Sequence, residues 1–131
     1  MAQPYQGSCL CGDVRYQIYG DLRPVVACHC RQCQKTSGSF VMASQCQADD
    51  LTVSGNSLRW YTSSETAERG FCATCGSNLF WRRFNRDYVS IFVGGLDLPT
   101  GLTLESQIHG DSKGDYYPLP DVPQVEQSQL N

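Results

Sequence analysis

The chain has 131 residues, 40% of them hydrophobic and 18% charged, with 10 lysines and arginines against 13 acidic residues and a formal charge of −3 at pH 7. That length makes one domain with a modest core, and that charge balance offers no basic face to a nucleic acid. No apolar run nears the ~20 residues of a membrane span, and the start Met1-Ala2-Gln3-Pro4-Tyr5-Gln6 lacks the basic and apolar regions of a secretory signal, which places the protein in the cytoplasm without a membrane partner.

After Tyr5-Gln6-Gly7-Ser8 comes Cys9-Leu10-Cys11-Gly12, a pair of thiols followed by a glycine that lets the backbone turn. From Asp13 to Tyr19, Val14, Tyr16 and Ile18 alternate with Arg15, Gln17 and Tyr19, the pattern of a half-buried strand closed by Gly20-Asp21. Pro24-Val25-Val26-Ala27 leads as a second strand into Cys28-His29-Cys30-Arg31-Gln32-Cys33. Arg31 to Ser37 has no β-branched residue before Thr36 and ends at Gly38, which predicts one or two helical turns stopped by that glycine. A third strand runs from Ser39 to Cys46, with Phe40, Met42, Ser44 and Cys46 on one face.

Leu51-Thr52-Val53-Ser54 and Leu58-Arg59-Trp60-Tyr61-Thr62 flank Gly55-Asn56-Ser57 and predict a hairpin. Glu65 to Phe71 extends into Cys72-Ala73-Thr74-Cys75-Gly76, and Asn78 to Arg83 extends away from it, so that the cysteine pair reads as a metal-binding knuckle between two strands. Tyr88 to Val93 and Leu102 to His109 complete the strands; Pro118, Pro120 and Pro123 mark a loop region, and residues 124–131 form a polar tail expected to fray. These elements predict an all-β protein with a single zinc-binding domain over residues 1–123.

Eight cysteines in a cytosolic chain, grouped as Cys-x-Cys and Cys-x-x-Cys, argue for metal rather than disulfides. Cys9, Cys11, Cys72 and Cys75 together make a closed four-thiolate zinc site of structural type. Cys28, Cys30 and Cys33 supply only three ligands, and a zinc that works chemically keeps three and leaves its fourth position open. Thiolates bound at about 2.3 Å to one tetrahedral zinc sit roughly 3.8 Å apart, which an extended Cys28-His29-Cys30 followed by a turn allows.

Cys46 could close the triple into a second structural site. Against that, it lies at the far end of a strand that starts after Gly38, ~20 Å or more along the chain, and shares a face with Phe40 and Met42 as a small core residue would. His29 points away from the ligand face by strand parity, which suits it to orient the site by donating to a carbonyl or a substrate group. His109 reads as a satisfied sheet residue. Arg31, Lys35 and Arg69 either offset the negative charge of a three-thiolate zinc or are solvated surface charges. Trp60, Tyr61, Phe71, Phe80 and Trp81 read as core or inter-sheet packing, with one or two available to wall a pocket.

The segments Gly7-Ser8-Cys9-Leu10-Cys11-Gly12, Cys28-His29-Cys30-Arg31-Gln32-Cys33 with Lys35, Thr36 and Gly38, Arg69 to Ser77, Phe80-Trp81 and Gly95-Leu96-Asp97 together resemble the glutathione-dependent formaldehyde-activating enzyme and centromere protein V family. The likeness runs from about residue 5 to the Pro-Leu-Pro region. It implies a β-tent-like fold of small antiparallel sheets stabilised by zinc. It also implies the same two sites, with Cys9, Cys11, Cys72 and Cys75 structural and Cys28, Cys30 and Cys33 at the second zinc. The family's founding activity joins formaldehyde and glutathione into S-hydroxymethylglutathione.

The chemistry expected at the triple follows from its softness. An open zinc held by three thiolates accepts a fourth sulfur, so a small-molecule thiol such as glutathione can bind as thiolate and attack a carbonyl. The expected function is thus a carbon-sulfur lyase or synthase acting on a thiol adduct, with Cys28, Cys30 and Cys33 as its catalytic centre. The alternatives are a carrier that only binds a thiol and an interaction module in which both zincs are structural.

Overall fold

The computed structural model describes residues 4–130. Its strands are β1 (Tyr5–Ser8), β2 (Arg15–Ile18), β3 (Val25–Cys28), β4 (Val41–Gln47), β5 (Leu51–Ser54), β6 (Leu58–Thr62), β7 (Ala67–Cys72), β8 (Asn78–Arg83), β9 (Tyr88–Phe92) and β10 (Leu104–Ile108), with one α-helix, α1 (Arg31–Ser37). The described residues are all-β with a single short α-helix, as the alternating pattern predicts. Chain contacts gather into two compact units: residues up to Arg23 with Ser44–Gly101, and Pro24–Ala43 with residues from Leu102 onward.

The first unit holds a three-stranded antiparallel sheet in the order β1-β2-β5, and an antiparallel run β9-β8-β7-β6 that the second half of β4 joins beside β9. Val14 just before β2 and Tyr16 and Ile18 within it are buried, as alternation requires, and the Tyr16 ring meets Phe80 of β8 edge-on at 5.1 Å. Every residue of β9 is buried, because strands flank it on both sides. Burial of a side chain such as Phe80 or Ile91 contributes about 1.5–3 kcal/mol.

β1 is absent from the sequence reading because Gly7 sits in its middle. That glycine is required: a Cβ there would stand 2.3 Å from Tyr16 Cζ. Gly70 of β7 plays a similar part, since a Cβ would press on Trp60 and Phe80, whose rings stack 6.0 Å apart. Arg82 lies 3.8 Å over the Trp60 ring while its Nε pairs with Glu68 at 2.7 Å. Tyr61, expected to pack, is 64% exposed instead. It lies on the edge strand β6, one residue out of phase with Trp60, and so faces solvent.

The hairpin expected across Gly55-Asn56-Ser57 does not form, because β5 pairs with β2 and β6 pairs with β7. Gly55 adopts a φ of 98° where a Cβ would lie 1.7 Å from the Asp13 carbonyl oxygen. The chain therefore passes hard against the start of β2, which commits β5 to that strand.

In the second unit β3 pairs antiparallel with the first residues of β4 and parallel with β10, Ile108 lying opposite Cys28. Gly38 stops α1 in the left-handed conformation at φ 94°, its N–H bonding to Gln34 O, as its place in the sequence predicts. The polar segment expected to fray is tied to β10. Gln107 N donates to Pro123 O and Val125 N donates to Gln107 O, both at 2.9 Å, and Gln127–Gln129 close a 3₁₀ turn.

Candidate metal centres

The first cysteine group is built from two tight turns. Gly12, at φ 83°, lets its N–H reach back to Cys9 O at 3.2 Å, and Gly76, at φ 82°, bonds to Cys72 O at 2.8 Å. Ser77 links them, its hydroxyl accepting from Leu10 N at 3.0 Å and its carbonyl from Cys72 N at 3.0 Å. The result brings the Sγ atoms of Cys9, Cys11, Cys72 and Cys75 within 4.8 Å of one another. Cys9 and Cys11 are 3.6 Å apart, and Cys11 and Cys72 3.8 Å, the spacing of thiolates sharing one tetrahedral ion.

Backbone amides point at these sulfurs. Val14 N donates to Cys9 Sγ at 3.3 Å, a bond that favours the Cys9 thiolate, and Cys75 N donates to Cys72 Sγ at 3.4 Å. The Ser77 hydroxyl, 3.2 Å from Cys75 Sγ, is the largest cause holding that thiol down to about 5. Cys72 is fully buried and Cys9 is 4% exposed. Four thiolates this close repel one another unless a cation lies among them, so the donor set fits a soft divalent metal.

The second group, Cys28, Cys30 and Cys33, also has its Sγ atoms within 4.8 Å of one another. Cys28 ends β3, Cys30 is the N-cap of α1, and Cys33 lies in the helix's first turn, where its N–H donates to Cys30 Sγ at 3.4 Å. Proximity to Cys30 and Cys33 drives the Cys28 thiol far above its ordinary range, since three adjacent thiolates need a counter-charge. A metal cation supplies that charge, so this donor set fits one too.

A buried polar hub fixes the loop carrying these thiols. Gln34, 4% exposed, donates through Nε2 to His29 O and to Ser112 O, each at 2.8 Å. His29 is fully buried, with Nε2 2.9 Å from Gln107 Oε1 and Nδ1 2.9 Å from Tyr117 Oη. Gln107 Nε2 donates to Pro120 O and Val122 O, which leaves Oε1 as the acceptor. His29 Nε2 therefore carries the proton, and Nδ1 accepts from Tyr117. The ring is flanked by Phe40 at 4.7 Å and Tyr117 at 5.6 Å.

His29 thus donates to a carbonyl, the side-chain amide of Gln107, and accepts from Tyr117, because β10 and the Tyr117 loop close over it. Gln34, Gln107 and Tyr117 escape the sequence reading, since isolated glutamines and tyrosines in polar stretches carry no spacing signal. His109 is exposed and follows β10 at φ 57°, a turn residue bonded to Gln127 Oε1 at 3.0 Å rather than a sheet residue. Arg31 and Lys35 are exposed on α1, Arg31 bonding to Gln34 Oε1, while Arg69 is buried in β7.

Among the described residues these two cysteine groups are the clusters able to hold a metal ion, and Cys46 joins neither. It is 3% exposed, its thiol pushed up to about 11 by burial and then by the charge of Asp50. None of the eight cysteines is in a disulfide.

Residues 4–112 match the sequence profile of the glutathione-dependent formaldehyde-activating enzyme family. An uncharacterized lyase of Schizosaccharomyces pombe is 27% identical over 117 residues, a span covering 86% of this chain and 83% of that protein. A crystal structure of a Rhodobacter sphaeroides protein, a structural-genomics target, superposes with a TM-score of 0.59 at 26% identity over 92% of this chain and 99% of that one. The matched residues contain both cysteine groups, and the chain belongs to the glutathione-dependent formaldehyde-activating enzyme family.

Proposed function

We propose that the protein is a zinc-dependent carbon-sulfur lyase or synthase working on adducts of a small thiol, with the formation or cleavage of S-hydroxymethylglutathione as its model reaction. The observation that carries this reading is the triple of Cys28, Cys30 and Cys33, a donor set one short of a closed tetrahedron. Cys9, Cys11, Cys72 and Cys75, a complete set of four, serve as the structural zinc site. The cytoplasm is the compartment proposed for it, since thiols grouped to share a metal suit a place that keeps them reduced.

Zinc bound by the triple would supply a soft Lewis acid that keeps an incoming thiol ionised at neutral pH. The chain's own part is to hold three sulfurs convergent and to prevent their collapse. Cys30 does so as helix cap, Gln34 clamps the His29 carbonyl, and the Gln107-His29-Tyr117 hub locks the backbone between Cys28 and Cys30. In the synthetic direction the thiol sulfur forms a bond to the aldehyde carbon, the carbonyl π electrons move to oxygen, and that oxygen takes the proton the thiol gave up. Cleavage is the reverse.

Exchange spectroscopy on glutathione and formaldehyde tests this directly. Added protein should speed hemithioacetal formation above the spontaneous rate, and Cys30→Ser should remove the excess. Thiol binding without acceleration would make the protein a carrier for this pair of substrates.

A further inference from the structure

The first unit contains a cavity of about 310 Å³ whose lining includes Asp21, Arg23, Gln45, Cys46, Asp50 and Tyr88. Its walls are fixed by the backbone. Arg23 N donates to Gln45 O at 3.1 Å and Ser44 Oγ to Arg23 O, while Tyr19 N donates to Asp50 O at 2.9 Å. Asp50 is held close to Gly20, where a Cβ would meet its carboxylate at 2.1 Å.

Two polar atoms there lack the partners that burial demands. Tyr88 is 9% exposed, and its hydroxyl and the Arg23 Nε are both buried with no hydrogen bond. A native protein rarely leaves two such donors in the lining of one cavity without a use for them. Both signs of charge also line the cavity, yet among the described residues Arg23 forms no ion pair with Asp21 or Asp50. Burial lowers the Arg23 pKa, so the guanidinium is a cation short of counter-charge.

The combination selects the ligand. A simple anion would satisfy Arg23 and Tyr88 but meet two carboxylates, and a simple cation would leave both donors unpaired. The volume lies at the low end for small-molecule sites. Cys46 contributes a buried neutral thiol to the wall, with no covalent role. We propose that this cavity binds a small zwitterion, an α-amino acid with a short side chain, whose carboxylate takes Arg23 and Tyr88 and whose ammonium takes Asp21 and Asp50. The site involves no thiol chemistry, so it stands or falls independently of the cysteine triple.

The test is a titration of the zinc-loaded protein, without added thiol, with glycine, acetate and methylamine, followed by the backbone amide signals of Gln45, Cys46 and Gln47. Glycine should shift these signals saturably and bind at least about tenfold more tightly than either half-molecule, because the two recognition elements are linked. Tyr88→Phe should weaken glycine severalfold while leaving the unfolding midpoint unchanged or higher, since it removes only an unpartnered hydroxyl. Asp50→Asn should weaken glycine and spare acetate. Acetate binding as tightly as glycine, or no saturable glycine shift at these amides, would overturn the proposal.

Discussion

The Sγ atoms of Cys11 and Cys72 lie 3.8 Å apart although the two residues are 61 positions apart in the chain. A metal shared by this pair closes a long loop, and its binding free energy becomes folding free energy, about 10 kcal/mol or more for a structural zinc. Cys28, Cys30 and Cys33, by contrast, are neighbours in sequence. Cys72→Ser should therefore lower the urea midpoint far more than Cys30→Ser, with one equivalent of metal lost in each. Equal destabilisation by the two would remove the distinction between a structural and a working site.

Cys46→Ala should leave the metal content unchanged and cost about 1–2 kcal/mol in a urea titration, the price of a small cavity at a residue 3% exposed. Metal analysis of the purified variant is the check, and loss of an equivalent would make Cys46 a ligand.

Gln107 serves three partners at once: His29 Nε2, Pro120 O and Val122 O. Gln107→Leu leaves the buried His29 ring and the two part-buried carbonyls without it and should cost about 2–4 kcal/mol. His109→Ala, on an exposed turn, should stay within about 0.5 kcal/mol of the parent. Equal effects in the two would show that the hub contributes little.

Burial lowers the His29 pKa, the nearby Lys113 charge adding to it, so the folded state prefers the neutral ring. The unfolded chain takes up the proton first as pH falls, and the stabilisation is present above the unfolded value near 6.5 and lost as pH drops below it toward the depressed folded value. His29→Gln should flatten the dependence of the urea midpoint between about pH 7.5 and 5 relative to the parent. An unchanged slope would mean that the ring does not report on folding.

The cysteine spacings and the helix stop at Gly38 were legible because metal ligation and left-handed caps impose local rules on sequence. Period-two alternation likewise revealed β2, β4 and β10. The hairpin reading failed at Gly55 because its conformation answers to the Asp13 carbonyl, a long-range contact with no local signature. β1 was hidden for the same reason, its Gly7 yielding space to the Tyr16 ring. The hub escaped notice because a glutamine reveals its burial only once its partners, here residues 29, 120 and 122, are brought together by tertiary pairing.

Cys28, Cys30 and Cys33 are expected to hold a metal with an open fourth position. Cobalt substituted into the protein tests it most directly, since its absorption reports the ligand set. The spectrum should be that of tetrahedral cobalt at both sites, and adding a small thiol should shift the part that Cys30→Ser removes, because only an open position accepts another sulfur. A spectrum indifferent to thiol, with the triple loaded, would show a closed site and rule out an open fourth position.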